Sequence, residues 1–239
     1  MVNFMKRIFV LDFLRGFAII LMIFFNYSVT LNYFRVVVIP YNFLYWFIFP
    51  RFIAAIFIFI SGVVAYVTYK NCKTKFLQLY FRRGIKLLIF AFLISLFTYF
   101  FVPSGTILFG ILHFFAVSSF LVPFFIKYDK LNLIAGLLIT LFGIYLQFAA
   151  FNFSYLFWLG FIPKDFFAFD YFPLIPWLGV LMLGIYSAKK FIGKTAKFQT
   201  KSILGKLFAF LGRNSLTIYL IHQPILIFIL MFLGFKLFF

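Results

Sequence analysis

The first apolar run of the chain reads IFVLDFLRGFAIILMIFFNY (Ile8–Tyr27) and is interrupted by only two charged residues, Asp12 and Arg15. A helix needs roughly 20 mostly apolar residues to cross the hydrocarbon layer of a bilayer, so this run predicts a membrane-spanning helix. The run lacks a small-residue cleavage site and carries charges within it. These features favour a retained helix over a cleavable signal peptide.

The composition of the whole chain extends this prediction. The 239 residues are 66% apolar and 11% charged, against roughly 45–50% and about 25% in soluble domains. We predict an all-α, polytopic transmembrane helix bundle of about seven spans, which forms a single domain over residues 1–239. The predicted spans are Ile8–Tyr27, Tyr45–Tyr66, Leu87–Val102, Thr106–Ile126, Leu131–Phe151, Tyr171–Ala188 and Ser215–Leu237. The stretch Asn152–Asp170 is broken by glycine, proline and charged residues, and we expect it to be an interfacial or re-entrant loop.

The net charge of +18 is concentrated in the loops between apolar runs. On the predicted topology, 17 lysines and arginines fall in the loops of one side and three in those of the other. Cytoplasmic loops carry such an excess, so we predict a cytoplasmic N-terminus, an outer C-terminus and a multi-pass protein of the cell membrane. This distribution explains the basic charge without a nucleic-acid partner.

The segment Ser202–Gly212 shows a helical stripe of large apolar residues, Ile203, Leu204, Leu207, Phe208 and Leu211. We expect an amphipathic helix that rests on the cytoplasmic interface. The alternative is that the segment continues the last span.

Several polar residues fall where lipid-embedded helices rarely carry them. Ionisable groups in such helices usually face the bundle interior, where they are paired or functional. Asp12 and Arg15 lie three residues apart on one helix face, so they form either a self-neutralised ion pair or part of an anion site open to the cytoplasm. Arg213, His222 and Gln223 fall in the same inner half. The remaining candidates are Arg82 on the cytoplasmic side and Asn26, Arg51, His113 and Trp177 in the outer half.

These candidates also have ordinary structural interpretations. The cytoplasmic cations serve equally well as orientation signals, and a lone histidine such as His113 is often a hydrogen-bonded packing residue. Trp177 fits an aromatic-belt anchor. The sequence contains no P-loop, GxSxG elbow or dinucleotide fingerprint. Two histidines, four aspartates and one cysteine do not provide a typical metal-ligand cluster, so we expect no metal.

Five segments carry a family resemblance. They are LDFLRGFAIILMIFFNY (Leu11–Tyr27), FIFISG (Phe57–Gly62), FGILHF (Phe109–Phe114), PLIPWLGVLMLGI (Pro173–Ile185) and LGRNSLTIYLIHQPIL (Leu211–Leu226). In this order they resemble the heparan-α-glucosaminide N-acetyltransferase catalytic family, in a compact form like its prokaryotic members. The resemblance implies that an acetyl group passes from cytoplasmic acetyl-CoA to an amino sugar or similar acceptor on the outer side of the bilayer.

The resemblance also implies roles for individual residues. Asp12 and Arg15 match the Asp-x-x-Arg-Gly of the family, and His222 matches the histidine of its last helix. The amide of Asn26 is expected to polarise the thioester carbonyl. The phosphates of CoA suit the cations at the inner mouth, namely Arg15, Arg82 and Arg213, and Asp12, His222 and Gln223 are expected to bind CoA beside them. Arg51 and Trp177 are expected to contact the acceptor. A homo-oligomer is compatible with the sequence.

One departure from the family pattern concerns the catalytic base. The animal enzyme has a histidine in or near its first outer loop, and residues 28–44 of this chain contain none. The base is then His113, another group, or no group at all, with positioning supplying most of the acceleration. Two other functions stay open. The chain is either a transporter or flippase for a small anion or lipid-linked sugar, or an inactive relative that acts as a membrane partner protein.

The predicted orientation is tested by labelling from one side. In a Cys72→Ser background, a cysteine introduced near Lys197 should react with impermeant maleimide only from the cytoplasm, and one near Asp165 only from outside. The reverse pattern would overturn the orientation and move the acetyl-CoA side with it.

Overall fold

The computed structural model describes residues 8–101, 105–164, 166–195 and 202–234, and for 190–195 the backbone only. Eight α-helices lie within these ranges. They are α1 (Phe9–Tyr33), α2 (Phe49–Asn71), α3 (Phe76–Phe101), α4 (Ile111–Phe125), α5 (Asp129–Leu146), α6 (Leu174–Thr195), α7 (Ile203–Arg213) and α8 (Ser215–Phe232). A π-helical turn, Leu44–Ile48, precedes α2, and a 3₁₀ turn, Lys73–Lys75, precedes α3.

The predicted all-α membrane bundle is confirmed. Each of the seven predicted spans contains a helix, and the described residues form no strand, only the isolated bridges Phe109–Tyr171 and Phe151–Pro163. Five helical segments are long and apolar enough to cross a bilayer, and two shorter apolar helices, Ile111–Phe125 and Leu174–Lys189, accompany them. The stretch 152–170 contains one short 3₁₀ turn, Phe157–Leu159, so it is not an eighth span.

Several predicted helix boundaries were wrong, and two of them share a cause. The helix expected to end at Tyr27 continues to Tyr33, and the one expected to begin at Leu87 begins at Phe76. Polar and charged residues marked both expected ends, but such residues need not end a helix. The hydroxyl of Ser28 donates to the backbone oxygen of Phe24, four residues earlier in α1, at 2.9 Å, and so bonds within the helix.

The helices group into two compact units, each described by itself. Unit 1 comprises residues 1–60 and 190–239, and unit 2 comprises residues 61–189. Unit 1 therefore holds α1, the first half of α2, α7 and α8. Its core contains Ile19, Met22 and Ile53, against which side chains of α7 and α8 pack. Unit 2 holds the rest of α2, then α3, α4, α5 and most of α6.

The tightest helix contact in unit 1 joins the backbones of α1 and α7. A Cβ added to Gly16 would overlap the backbone of Phe208, and one added to Gly212 would overlap the backbone oxygen of Asp12. The two contacts lie one turn apart on each helix and in opposite order, so α7 runs antiparallel to α1. In a bilayer the hydrophobic effect does not drive helices together, because lipid tails are as apolar as the side chains. Helices there associate through close backbone packing at small residues.

The face of α7 that packs against protein lies apart from the predicted apolar stripe. Its buried residues are Gly205, Ala209 and Gly212, whereas Ile203 and Leu204 of the expected apolar stripe are exposed. An interfacial helix turns its large apolar residues toward lipid, so their exposure from the protein is compatible with the predicted amphipathic helix, while the small residues form the contact with α1. Since α7 is antiparallel to α1 and α8 returns alongside α1 after Asn214, α7 is not a continuation of the last span. Its place at the cytoplasmic interface stays a prediction.

The close contact predicts a severe effect of a small change. Gly212→Val should destabilise the protein by about 1–3 kcal/mol or prevent folding, because the new side chain meets backbone that cannot turn away. Thermal unfolding of the detergent-solubilised chain measures the effect. Leu207→Ala, on the exposed face of the same helix, should change stability by no more than about 0.5 kcal/mol. Equal effects of the two substitutions would contradict the packing described.

Candidate functional site

The polar residues of α1 and α8 meet inside unit 1. The side-chain amide nitrogen of Asn26 lies 3.0 Å from Nε2 of His222. One turn further along α1, the hydroxyl of Thr30 donates to Oε1 of Gln223 at 3.0 Å. Nε2 of Gln223 in turn donates to the backbone oxygen of Asn26 at 3.4 Å. We call these four residues the Asn26 cluster.

The hydrogen bonds of His222 fix the orientation of the Asn26 amide. Nδ1 of His222 lies 2.7 Å from the backbone oxygen of Tyr219. A carbonyl oxygen only accepts, so Nδ1 carries the proton, and Nε2 of the neutral ring accepts the N–H of Asn26. His222 is 5% exposed, whereas Asn26 is half-buried. Among the described residues the second N–H of the Asn26 amide has no partner, so it remains available to a ligand.

The backbone of α8 is held at the same point. Pro224 lies inside the helix and has no N–H to donate to the preceding turn. The hydroxyl of Tyr27, from α1, donates to the backbone oxygen of His222 at 3.1 Å. This bond adds a second connection between α1 and the turn that carries His222.

The structure corrects the predicted depths of two of these residues. Asn26 was expected at the outer end of the first helix and His222 in the inner half of the last, but they are hydrogen-bonded neighbours. The α1 helix continues seven residues beyond Asn26. At its other end α7 reaches the level of Asp12 before α8 begins. His222 therefore lies beside the proposed catalytic amide and not at a separate inner mouth.

Three predicted cofactor residues lie together at the other end of unit 1. Asp12 and Arg15 are half-buried on the first turns of α1. The close contact of Gly212 with the backbone of Asp12 brings the exposed Arg213 to this end of the helix. The structure thus places the two residues Arg15 and Arg213 close to the point where α7 ends against α1.

His113, in unit 2, closes the first turn of its own helix. Nδ1 of its ring accepts the backbone N–H of Gly110, the N-cap residue of α4, at 3.2 Å. The neutral ring then carries its proton on Nε2, which lies 3.2 Å from the hydroxyl of Ser95. That hydroxyl donates to the backbone oxygen of Ile107. Both ring nitrogens of His113 therefore have partners, in a capping arrangement typical of the third residue of a helix.

The other predicted residues have contacts of their own. Arg51 donates to the backbone oxygen of Phe47 at 2.9 Å, and its guanidinium lies over the Phe47 ring at 3.4 Å. In unit 2, Arg82 is exposed on α3. Trp177 is 6% exposed, and its ring packs on that of Phe172.

Two residues that hydrogen-bond α1 to α8 were not predicted from the sequence. Tyr27 and Thr30 contact α8, yet neither was a candidate. A usable signal was the i, i+4 spacing of Asn26 and Thr30, which places both polar side chains on one face of an apolar helix.

Comparison with known proteins identifies a family. The family model described as "Heparan-alpha-glucosaminide N-acetyltransferase, catalytic" matches residues 7–224. This range runs from the start of α1 into α8 and includes the whole Asn26 cluster. No curated protein and no solved structure matches the chain.

The contact between Asn26 and His222 predicts energetic coupling. In a double-mutant cycle, Asn26→Ala and His222→Ala should interact by about 0.6–1.7 kcal/mol, the range found for hydrogen bonds between membrane helices. Each single change leaves the other partner unsatisfied, so the double variant should lose less than the sum of the two. Stability is measured by unfolding in mixed detergent micelles. Strict additivity would show that the two side chains do not interact.

Proposed function

Since the chain belongs to the heparan-α-glucosaminide N-acetyltransferase catalytic family, a family of membrane acetyltransferases, we propose that it transfers an acetyl group from acetyl-CoA to the amine of an amino sugar or similar acceptor. The acceptor is expected on the opposite side of the bilayer from the acetyl-CoA. The observation that supports this proposal best is the half-buried amide of Asn26, held by His222 with one N–H left available.

The reaction needs a polarised carbonyl and a route for one proton. The amine nitrogen attacks the thioester carbonyl carbon, and negative charge develops on the carbonyl oxygen. The C–S bond then breaks, CoA leaves as the thiolate, and the proton of the attacking amine passes to a base and on to the sulfur. An amide N–H fixed in advance stabilises the developing oxyanion without reorganising during the reaction.

His222 acts in this mechanism as a positioning residue. Its Nδ1–H is committed to the backbone oxygen of Tyr219, so its Nε2 can only accept. Asn26 must then present its nitrogen to His222, and its carbonyl oxygen is turned away from the ring. The thioester carbonyl meets the remaining N–H rather than a repelling oxygen.

Acetyl-CoA carries several phosphate charges, and the end of unit 1 that holds Asp12, Arg15 and Arg213 offers cations to match. Charge-assisted hydrogen bonds from guanidinium groups to phosphate are among the stronger polar contacts in proteins. We assign Arg15 and Arg213 to the cofactor, with Arg82 as a further phosphate contact. Gln223 supports the cofactor from within the Asn26 cluster, and Arg51 and Trp177 are assigned to the acceptor.

His113 is proposed as the base. It is the histidine whose basic nitrogen is not engaged with a catalytic side chain, and its Nε2 borders the Ser95 hydroxyl. To accept a proton at Nδ1 it must release the N–H of Gly110. The competing hypothesis gives His113 the capping role alone.

Removing the Asn26 amide tests the proposed activity. Purified chain in nanodiscs should release free CoA from acetyl-CoA only when an amino sugar is present. Asn26→Ala should lower turnover by about 10²–10³-fold, the loss typical of one oxyanion donor.

The matched control for that test is Ser28→Ala. It removes a buried hydroxyl from the same helix, bonded within α1 and to Tyr45 but not to α8, and should leave turnover within a few-fold. CoA binding without turnover on any amine or hydroxyl acceptor would favour the inactive relative. Movement of the sugar without acetylation would favour a transporter.

Two substitutions separate the roles of His113. Glutamine at the third helical position can accept the Gly110 N–H but cannot exchange a proton near neutral pH. If His113 is the base, His113→Gln should fold normally, bind CoA and lose at least about 10²-fold in turnover, like His113→Ala. Retained turnover in His113→Gln, with loss confined to His113→Ala, would show that the residue only caps α4.

A further inference from the structure

Unit 2 contains a narrow cavity. Side chains from four helices, α2, α3, α4 and α6, line it, and among them are one cation and four hydroxyl groups. The lining residues that bear on its chemistry are Ser61, Tyr80, Arg83, Phe115, Ser118 and Ser119. All of them belong to unit 2.

The cation of this cavity is Arg83. It is half-buried, whereas its neighbour Arg82 is exposed. Nη1 of Arg83 lies 3.4 Å from the hydroxyl of Tyr80, and the guanidinium lies 5.4 Å from the centre of that ring. Within the described part of the chain no carboxylate pairs with Arg83. A guanidinium has five N–H donors, so most of its hydrogen-bonding capacity is unused.

The hydroxyl groups around Arg83 are buried. Ser61 is 7% exposed, and its hydroxyl has no hydrogen-bond partner among the described residues. Ser118 and Ser119 are each 2% exposed, and both donate back to the backbone oxygen of Phe115, at 3.2 and 2.6 Å. Such a hydroxyl turns about one bond, so it can redirect its proton to a ligand.

The charge balance of the cavity points to the ligand. A half-buried cation without a counter-ion is costly in an apolar bundle, and an anion offsets that cost. An unpartnered hydroxyl facing the same space supplies a second donor. We propose that this cavity binds an oxyanion, a phosphate group, between the guanidinium of Arg83 and the hydroxyl of Ser61.

The phosphate group has two possible sources with the same chemistry. One is CoA, and the other is the headgroup of an anionic lipid. The site itself does not depend on the proposed acetyl transfer, but its assignment to CoA rests on that function. Arg82 was the arginine predicted from sequence, and the proposal adds its neighbour Arg83 as the arginine of this cavity.

The experiment uses the full chain in phosphatidylcholine nanodiscs. The probes are CoA and inorganic pyrophosphate, measured by calorimetry, and nanodiscs that contain phosphatidylglycerol, measured by the shift in melting temperature. Arg83→Gln should lower the affinity for the probe that binds by at least tenfold, and Ser61→Ala should lower it about 2- to 10-fold. Arg83→Lys keeps the positive charge but loses the paired N–H donors of the guanidinium, so its affinity should lie between those of wild type and Arg83→Gln. If Arg83→Gln does not fold, Arg83→Lys serves as the test variant.

Lys86→Gln is the matched control. It removes one positive charge from the exposed surface of α3, one turn from Arg83, and should change binding by less than twofold. An effect on CoA and pyrophosphate assigns the site to the coenzyme. A stabilisation by phosphatidylglycerol that Arg83→Gln abolishes assigns it to lipid.

Two results would overturn the site. One is equal behaviour of Arg83→Gln and Lys86→Gln with every probe, and the other is a loss of binding in Arg82→Gln alone. The outcome is separable from that of the acetyltransferase assay. If Arg83→Gln weakens the binding of a phosphate probe but the wild type never releases CoA, acetyl transfer is refuted and the site is still supported. Acetyl transfer with normal probe binding in Arg83→Gln would refute the site alone.

Discussion

The close approach of the α1 and α7 backbones determines the position of the candidate catalytic groups in unit 1. Gly16 and Gly212 let the two helices touch main chain to main chain. Because α7 ends there, α8 begins beside the first turns of α1 and runs along it in the same direction. Seven residues later His222 reaches Asn26. The small size of two residues thus allows a contact between Asn26 and His222, which are 196 positions apart in the sequence.

The apolar runs were sufficient to predict the helices, because a bilayer imposes the same length and composition on every span. They were less informative about where each helix ends. Ser28 donates its hydroxyl to a backbone oxygen within α1, so nothing in its chemistry ends the helix at the hydrocarbon boundary. Residue periodicity alone also did not show which residues of α7 pack against α1. The stripe from Ile203 to Leu211 is visible in the sequence, but in lipid the small residues form the contact.

The candidate site was predictable in part. Asn26 and His222 were recognisable as polar residues in apolar helices, and the family match covers both. That they bond to one another was not predictable, because helix pairing depends on how α7 directs α8. His113 was also recognisable in the sequence, but the bond by which it caps α4 was not, because that bond depends on the local backbone geometry. Arg82 and Arg83 are equivalent in the sequence, and only their places on α3 separate them.

The contact at Gly16 and Gly212 also bears on how this sequence can change over time. The 45 phenylalanines of the chain include many that are exposed, such as Phe24, Phe92 and Phe228. In a bilayer these can be exchanged for other apolar residues at little cost, since lipid tails are about as apolar as the side chains. A position where two backbones touch has no such freedom. Random substitution should therefore be tolerated over most of the apolar surface and rejected at a few residues that contribute almost no area.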